Sequence, residues 1–357
     1  MTTRRRTLVW VAVASTVLIA LVVGIAWAVA GAQPDEADAT DQPPGWVDES
    51  TPEPSERPNA VEGCDDGILV STASTLQAAL DAAQPGDVIQ VAPGTYAGNF
   101  VITPSGTASD PITLCGSVDS ILDGGDVEGG YVVHLNSASY WRLVGFTVTN
   151  GQKGVMADGT VGSVIQGLTV TRIGDEAIHL RRFSTDNLVT GNDVSVTGLR
   201  REKFGEGIYI GTAESNWCDI TGCEPDTSDR NVVEGNTIHQ TTAEAIDVKE
   251  GTSNGIVRGN TFDGSGMHED GSDSWVDIKG NDWLIEGNTG TNSLLDGFQT
   301  HEILDGWGTR NVFRDNIANV NGPGFGFSLT PARDNVVSCD NQASAAGEGL
   351  TNVTCSG

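Results

Sequence analysis

A chain of 357 residues with 48 Asp and Glu against 19 Lys and Arg carries a net charge of −29. A field that negative repels nucleic acid and the anionic surface of a membrane, so neither is expected as a partner of the folded part. A polyanionic ligand would need a local basic cluster, and with so few cations their positions in the sequence are informative.

Arg4-Arg5-Arg6 stands ahead of an uncharged apolar run from Thr7 to Ala32. Basic residues before an apolar stretch of about 20 residues or more predict a transmembrane anchor with its N-terminus inside. The small-residue end Ala28-Val29-Ala30-Gly31-Ala32 also suits signal cleavage. Residues 1–32 are therefore an anchor or a signal segment, and either one exports the remainder, to the outer face of the cell membrane or into the medium. Residues 33–62 are rich in Pro, Asp, Glu and Ser with almost no large apolar side chain. Such a segment buries too little surface to fold and reads as a disordered acidic linker. Residues 63–357 are left as one folded domain, with a monomer expected.

In an exported chain, six cysteines predict disulfides. Sequence proximity suggests Cys64 with Cys115, Cys218 with Cys223 and Cys339 with Cys355, although six cysteines admit other pairings. No Cys-x-x-Cys spacing with His partners argues for a metal instead. Thr75 to Ala83 has helical spacing and is followed by a Pro85-Gly86-Asp87 turn, which predicts a short helix capping the domain.

Beyond the helix the chain repeats. Asn231-Val232-Val233-Glu234-Gly235-Asn236 is echoed by Asn187 to Asn192, Gly255 to Asn260, Asp282 to Asn288, Asn311 to Asn316 and Asn335 to Asp340. The last residues of these echoes, 192, 236, 260, 288, 316 and 340, are 44, 24, 28, 28 and 24 apart. Periods of this size without helical pattern predict a β-solenoid, with the repeated Asn as scaffold whose amides bond the copies above and below. The long interval places an insertion, Cys218 to Arg230, at a corner of one coil.

A second repeat is apolar-polar alternation: Ala177-Ile178-His179-Leu180-Arg181, Gly207-Ile208-Tyr209-Ile210-Gly211, Glu244-Ala245-Ile246-Asp247-Val248-Lys249, Trp275-Val276-Asp277-Ile278-Lys279 and Gly297-Phe298-Gln299-Thr300-His301. Period two puts Ile246 and Val248 on one face of a strand and Asp247 and Lys249 on the other. Stacked in register, these strands predict two outward columns. One reads His134, Met156, His179, Tyr209, Asp247, Asp277, Gln299, and the other Asn136, Asp158, Arg181, Gly211, Lys249, Lys279, His301. The structural alternative is a ladder of Asp–Lys ion pairs between neighbouring strands, each worth little at a surface. Trp275, Trp283 and Trp307 are expected to pack at coil corners.

Thr75-Leu76-Gln77-Ala78-Ala79-Leu80, Gln84-Pro85-Gly86-Asp87-Val88-Ile89 and Pro93-Gly94-Thr95-Tyr96 resemble the opening of right-handed parallel β-helix proteins of the pectin-lyase-like superfamily, which includes alginate lyases and chondroitinase B. The resemblance implies an all-β fold, a right-handed parallel β-helix with a short N-terminal capping helix. It also implies an acidic polysaccharide as partner and a polysaccharide lyase that removes the C5 proton of a uronic acid and eliminates the 4-linked sugar. That chemistry needs a neutralised carboxylate, a base near C5 and a proton donor to the leaving oxygen. The expected base is Lys249, its pKa lowered by Lys279 and Arg181. Arg181 is expected to hold the uronate and Tyr209 or His179 to donate the proton. Arg182, Arg201, Gln299 and His301 are the further substrate contacts expected. Asp247, Asp277, Glu244 and Glu250 are candidate ligands for Ca²⁺, which takes carboxylate oxygens. Three alternatives stay open on the same residues: an inverting glycoside hydrolase built on Asp247 with Asp277 or Asp296, a C5-epimerase, and a non-catalytic glycan-binding protein.

Overall fold

The computed structural model describes residue 64 and residues 66–357 apart from residue 271. The anchor or signal segment and the linker expected before residue 63 lie outside these residues. Among the described residues no helix is long and apolar enough to cross a membrane.

Among the described residues, thirty-one short strands stack into three parallel sheets of 11, 10 and 10 strands, each strand pairing with the equivalent strand of an adjacent coil. The expected helix spans Ala73–Ala82 and buries Leu76 and Leu80. Thr72 caps it by accepting from the Thr75 backbone N–H, while the Thr75 side chain returns the bond, so the first turn is satisfied from both sides. Hydrophobic side chains from all three sheets meet inside. The later coils are aromatic, with Phe298 stacked on Phe327 at 5.0 Å and edge-on to Trp275 at 5.8 Å. Gly290 makes room for this core, because a Cβ there would run into the Trp275 ring. Trp275 and Trp283 are buried in this core, whereas Trp307, the third tryptophan expected at a coil corner, is only half-buried.

The Asn repeat is a scaffold. Asn192 Nδ2 donates to Asn236 Oδ1, Asn236 to Asn260, Asn260 to Asn288, and Asn288 to Asn316, all within 2.9–3.0 Å. Each amide also donates to a backbone carbonyl of a preceding coil, as Asn236 does to Val189. The Gly before each Asn makes the turn possible: Gly191, Gly235, Gly259 and Gly287 all have φ between 61° and 63°, where a Cβ is strained. One position needs correction. The ladder ends on Asn341, which accepts from Asn316, and not on Asp340. The last coil is one residue longer, and Asp340 instead accepts from the exposed Asp315 N–H. All three expected disulfides are present.

The two columns are in the expected register. Met156 pairs with both His134 and His179, His179 with Tyr209, Tyr209 with Asp247, Asp247 with Asp277, and Asp277 with Gln299. They face away from the core as expected, yet much of their length is shielded from solvent. His179, Asp247, Asp277, Lys279 and Gln299 are buried. Long side chains one coil apart, about 4.8 Å, shield one another. In addition, both connections of the Tyr209 strand are long: 196–207 before it and 211–231 after it. The second carries the expected insertion, which starts earlier than Cys218, holds a short helix at Trp217–Ile220 and is closed by Cys218–Cys223.

Candidate active site

Between these two connections lies a pocket of about 660 Å³. Its floor is the site sheet, and all five expected catalytic side chains, Arg181, His179, Tyr209, Lys249 and Lys279, line it. Lys203 and Phe204 come from one wall, with Lys203 Nζ 4.7 Å from the Phe204 ring, and Thr212, Ala213, Asn216 and Asp219 from the other.

The cations are not free. Lys249 Nζ lies 2.5 Å from Asp247 Oδ2. Lys279 Nζ bridges Asp247 Oδ1 at 2.7 Å and Asp277 Oδ2 at 2.6 Å, and His301 Nδ1 sits 2.9 Å from the other Asp277 oxygen. Toward the N-terminal coils, Arg181 Nε donates to Asp158 at 2.7 Å and His134 Nε2 meets the second Asp158 oxygen at 2.9 Å. Lys153 pairs with Glu176. The ion-pair ladder therefore exists, and it is buried, where breaking a pair is costly.

This geometry overturns the low pKa expected of Lys249. Burial does push its ammonium down, but Asp247, by charge and by hydrogen bond, and then Glu206 and Asp277 more than reverse it, so the pKa is raised. Lys279 goes the same way: Asp247 and Asp277 overcome its desolvation. Lys279 is a real neighbour of Lys249, but the Asp247 carboxylate stands in direct contact with it. Burial raises Tyr209 well above its ordinary value, reinforced by Asp247, Glu206 and Glu176, so the phenol holds its proton. Its ring packs 4.4 Å from His179, and Lys249 Nζ lies 4.8 Å from its centroid. His179 is neutral: burial, then Lys153 and Arg181, hold its pKa well below the usual range. Its Nε2 donates to the Gly211 carbonyl at 3.0 Å, while Nδ1 makes no hydrogen bond and lies 3.6 Å from Glu176 Oε1.

The expected metal ligands do not assemble as a set. Asp277 is bound to Lys279 and His301, and Glu250 accepts from the Glu214 N–H at 2.6 Å. Glu206, not foreseen, joins Glu244 and Asp247 in a buried triad whose oxygens lie within 4.8 Å of one another. Burial and mutual repulsion raise Glu206 well above the carboxylate range and Glu244 to about 8. The signal for Glu206 was in the sequence. Glu176-Ala177-Ile178-His179, Glu206-Gly207-Ile208-Tyr209 and Glu244-Ala245-Ile246-Asp247 are three copies of one motif, which put a Glu column beside the first.

Of the other expected substrate contacts, none lines the pocket. Arg182 is exposed, with its backbone N–H held by Asp226. Arg201 lies over the Phe204 ring at 5.7 Å. Gln299 is buried and donates to Asp296, while His301 serves Asp277.

A profile of the family described as "Right handed beta helix region" matches residues 215–357. No curated protein matches the sequence. Among solved structures, the alginate lyase from Paenibacillus sp. str. FPU-7 is 36% identical, with 81% of this chain and 99% of that chain covered at a TM-score of 0.74. The chain belongs to the right-handed β-helix family of that alginate lyase. Two more distant members of the architecture share the fold alone. Pectate lyase Pel9A is 16% identical, with 75% of this chain and 73% of that chain covered at a TM-score of 0.50. The enzymatically active domain of bacteriophage CBA120 tailspike protein 2 is 10% identical, with 79% and 44% covered at 0.54.

Proposed function

We propose that the protein is an exported polysaccharide lyase that cleaves a uronate-containing glycan, alginate first among them, by β-elimination in the pocket around Tyr209 and Lys249. The observation that carries this reading is the convergence of Arg181, Tyr209, Lys249 and Lys279 on one pocket, in a chain whose 36% identical relative is an alginate lyase. The charge balance supports it. With Glu206 and Glu244 protonated, the carboxylates Glu176, Asp219 and Asp247 face five cations, Lys153, Arg181, Lys203, Lys249 and Lys279. An acidic protein thus presents one cationic pocket, as an anionic sugar requires.

Arg181 and Lys279 neutralise the uronate carboxylate and so acidify C5–H. Lys249 takes the C5 proton, the C4–O bond breaks as the C4=C5 double bond forms, and the Tyr209 phenol gives its proton to the departing oxygen. Lys249 must first lose its own proton. Asp247, 2.5 Å away and buried, receives it when the sugar displaces water, because drying disfavours a charged pair relative to a neutral one. The raised pKa of Lys249 favours a second reading, in which it stays an ammonium beside the carboxylate and the neutral His179, with its unpartnered Nδ1, accepts the proton. Lys249→Arg separates the two, since Arg keeps the charge and cannot act as a base. Loss of turnover assigns the base to Lys249, and retained turnover assigns it elsewhere.

Calcium has no part in this reading. Both Asp247 oxygens are occupied by ammonium groups, which a cation with 6–8 oxygen ligands would have to displace. Nor does Asp277 suit the acid of a hydrolase, which has to hold a proton. Lys279 bridges it to Asp247, and although burial raises Asp277, Lys279 and His301 bring it below the usual range. The test is ultraviolet absorbance of unsaturated uronate over a panel of uronate glycans. A rise on alginate or another uronate glycan supports the reading, and silence across the panel overturns it.

A further inference from the structure

The pocket has different surroundings on its two sides along the solenoid axis. On the N-terminal side, each carboxylate of the site face is held by a cation: Glu176 by Lys153, and Asp158 by Arg181, with His134 Nε2 on its second oxygen. Burial raises Asp158, but the hydrogen bonds from His134 and Arg181 take it below the usual range, so this trio is a fixed, fully paired unit. Above it, the Tyr131 hydroxyl accepts from Arg181 Nη2 at 3.4 Å, and the Tyr131 ring meets the His134 ring edge-on at 5.1 Å. Arg181 belongs to this cluster and to the pocket at once. Its Nε and Nη2 are used by Asp158 and Tyr131, and its side chain keeps 17% exposure, close to the 18% of His134.

The C-terminal side is the reverse. Asp296 is held by neutral donors, Gln299 Nε2 at 2.8 Å and the Phe325 N–H at 2.5 Å. Burial and the Asp277 charge raise the pKa of Asp273 against a hydrogen bond from Gln299 and the charge of His301, with Asp296 adding a smaller push. His301 and Lys279 pair with Asp277, while the exposed Asp305 lies 4.0 Å from Arg333 Nη1. A polyanion leaving the pocket in this direction meets Asp273 and Asp296, whose hydrogen bonds come from neutral donors. In the other direction it meets a guanidinium, an imidazole and a phenol.

Resting on the uronate-glycan reading of the pocket, we propose that the bound glycan extends from the pocket toward the N-terminal coils, and that Tyr131, His134 and Arg181 form a subsite for a uronate sugar beyond the one being cleaved. The coil of His134 is three strand steps from that of Tyr209, about 14 Å at the spacing of paired strands. Binding there should therefore appear only with longer oligomers. Tyr131 and His134 offer hydrogen-bonding groups and an amphipathic edge to the distal sugar, while Arg181, shared with the pocket, lies between it and the sugar being cleaved.

The test uses the full chain with Tyr209→Phe to slow turnover, titrated calorimetrically with oligouronates of alginate from dimer to hexamer. Affinity should rise with length. Adding Tyr131→Ala and His134→Ala should weaken hexamer binding by about tenfold, the loss expected of one good polar contact, and leave dimer binding within about twofold. An equal loss at every length overturns the subsite and makes the pair structural supports of Arg181. Length-dependent binding indifferent to both residues overturns the direction alone. Absence of binding at any length contradicts the uronate reading itself and the subsite with it.

Discussion

Two polar stacks run along the same solenoid, and they are built on opposite terms. The Asn ladder from Asn192 to Asn341 is neutral, and each amide joins its neighbours and a backbone carbonyl. The site stack from His134 to His301 is charged and incompletely matched. Among the described residues, the buried side-chain atoms without a partner include His179 Nδ1, Glu206 Oε2, Glu250 Oε2 and Gln299 Oε1, all on or beside it. Buried polar groups are costly unless satisfied. A repeat that satisfies all of them is a scaffold; one that leaves some unmet, beside a pocket, stores capacity for a ligand.

Substitutions should divide the two stacks. Tyr209→Phe should lower turnover by about 10²–10⁴-fold, the range of a positioned proton donor, with the melting temperature unchanged; a variant of near-normal rate would remove Tyr209 from the chemistry. Lys279→Met leaves Asp247 and Asp277 facing each other without their bridge, and denaturant titration should read a loss of about 3–5 kcal/mol. Asn236→Ala strips the acceptor from Asn192 and the donor to Val189, for about 2–3 kcal/mol by the same measurement, with activity per folded molecule intact.

Proton linkage sharpens the contrast. Glu244 keeps its proton in the folded protein up to about 8, whereas an unfolded Glu ionises at about 4.3. Between these values the folded state binds more protons, so this group's stabilisation falls as pH rises and is gone above about 8. Glu244→Gln should flatten that slope in melting curves, while Asn-ladder variants keep it. The smallest effect expected is of chelation: activity on a uronate glycan should be the same with and without a chelator, given that two ammonium groups hold Asp247.

The fold was largely legible because a solenoid repeats its evidence. Alternation placed His179, Tyr209, Asp247 and Asp277 in one column, and pairing bears out each step. Asn341 was missed because the final coil is one residue longer than the spacing implied. The site was legible in its members and not in their state. Lys249 and Asp247 share a strand face, and the sign of the pKa shift turns on a 2.5 Å contact that only the folded side chains define. Burial was also out of reach, since the walls are irregular connections without periodicity. Glu206 was within reach, in the motif it shares with Glu176 and Glu244.

The central claim is elimination in the Tyr209–Lys249 pocket, and its most direct test follows unsaturated uronate and new reducing ends together in one reaction on alginate. Each elimination makes one of both, so the two should rise in a constant one-to-one ratio and vanish together in Tyr209→Phe. Reducing ends without the ultraviolet signal would mean hydrolysis and contradict the account.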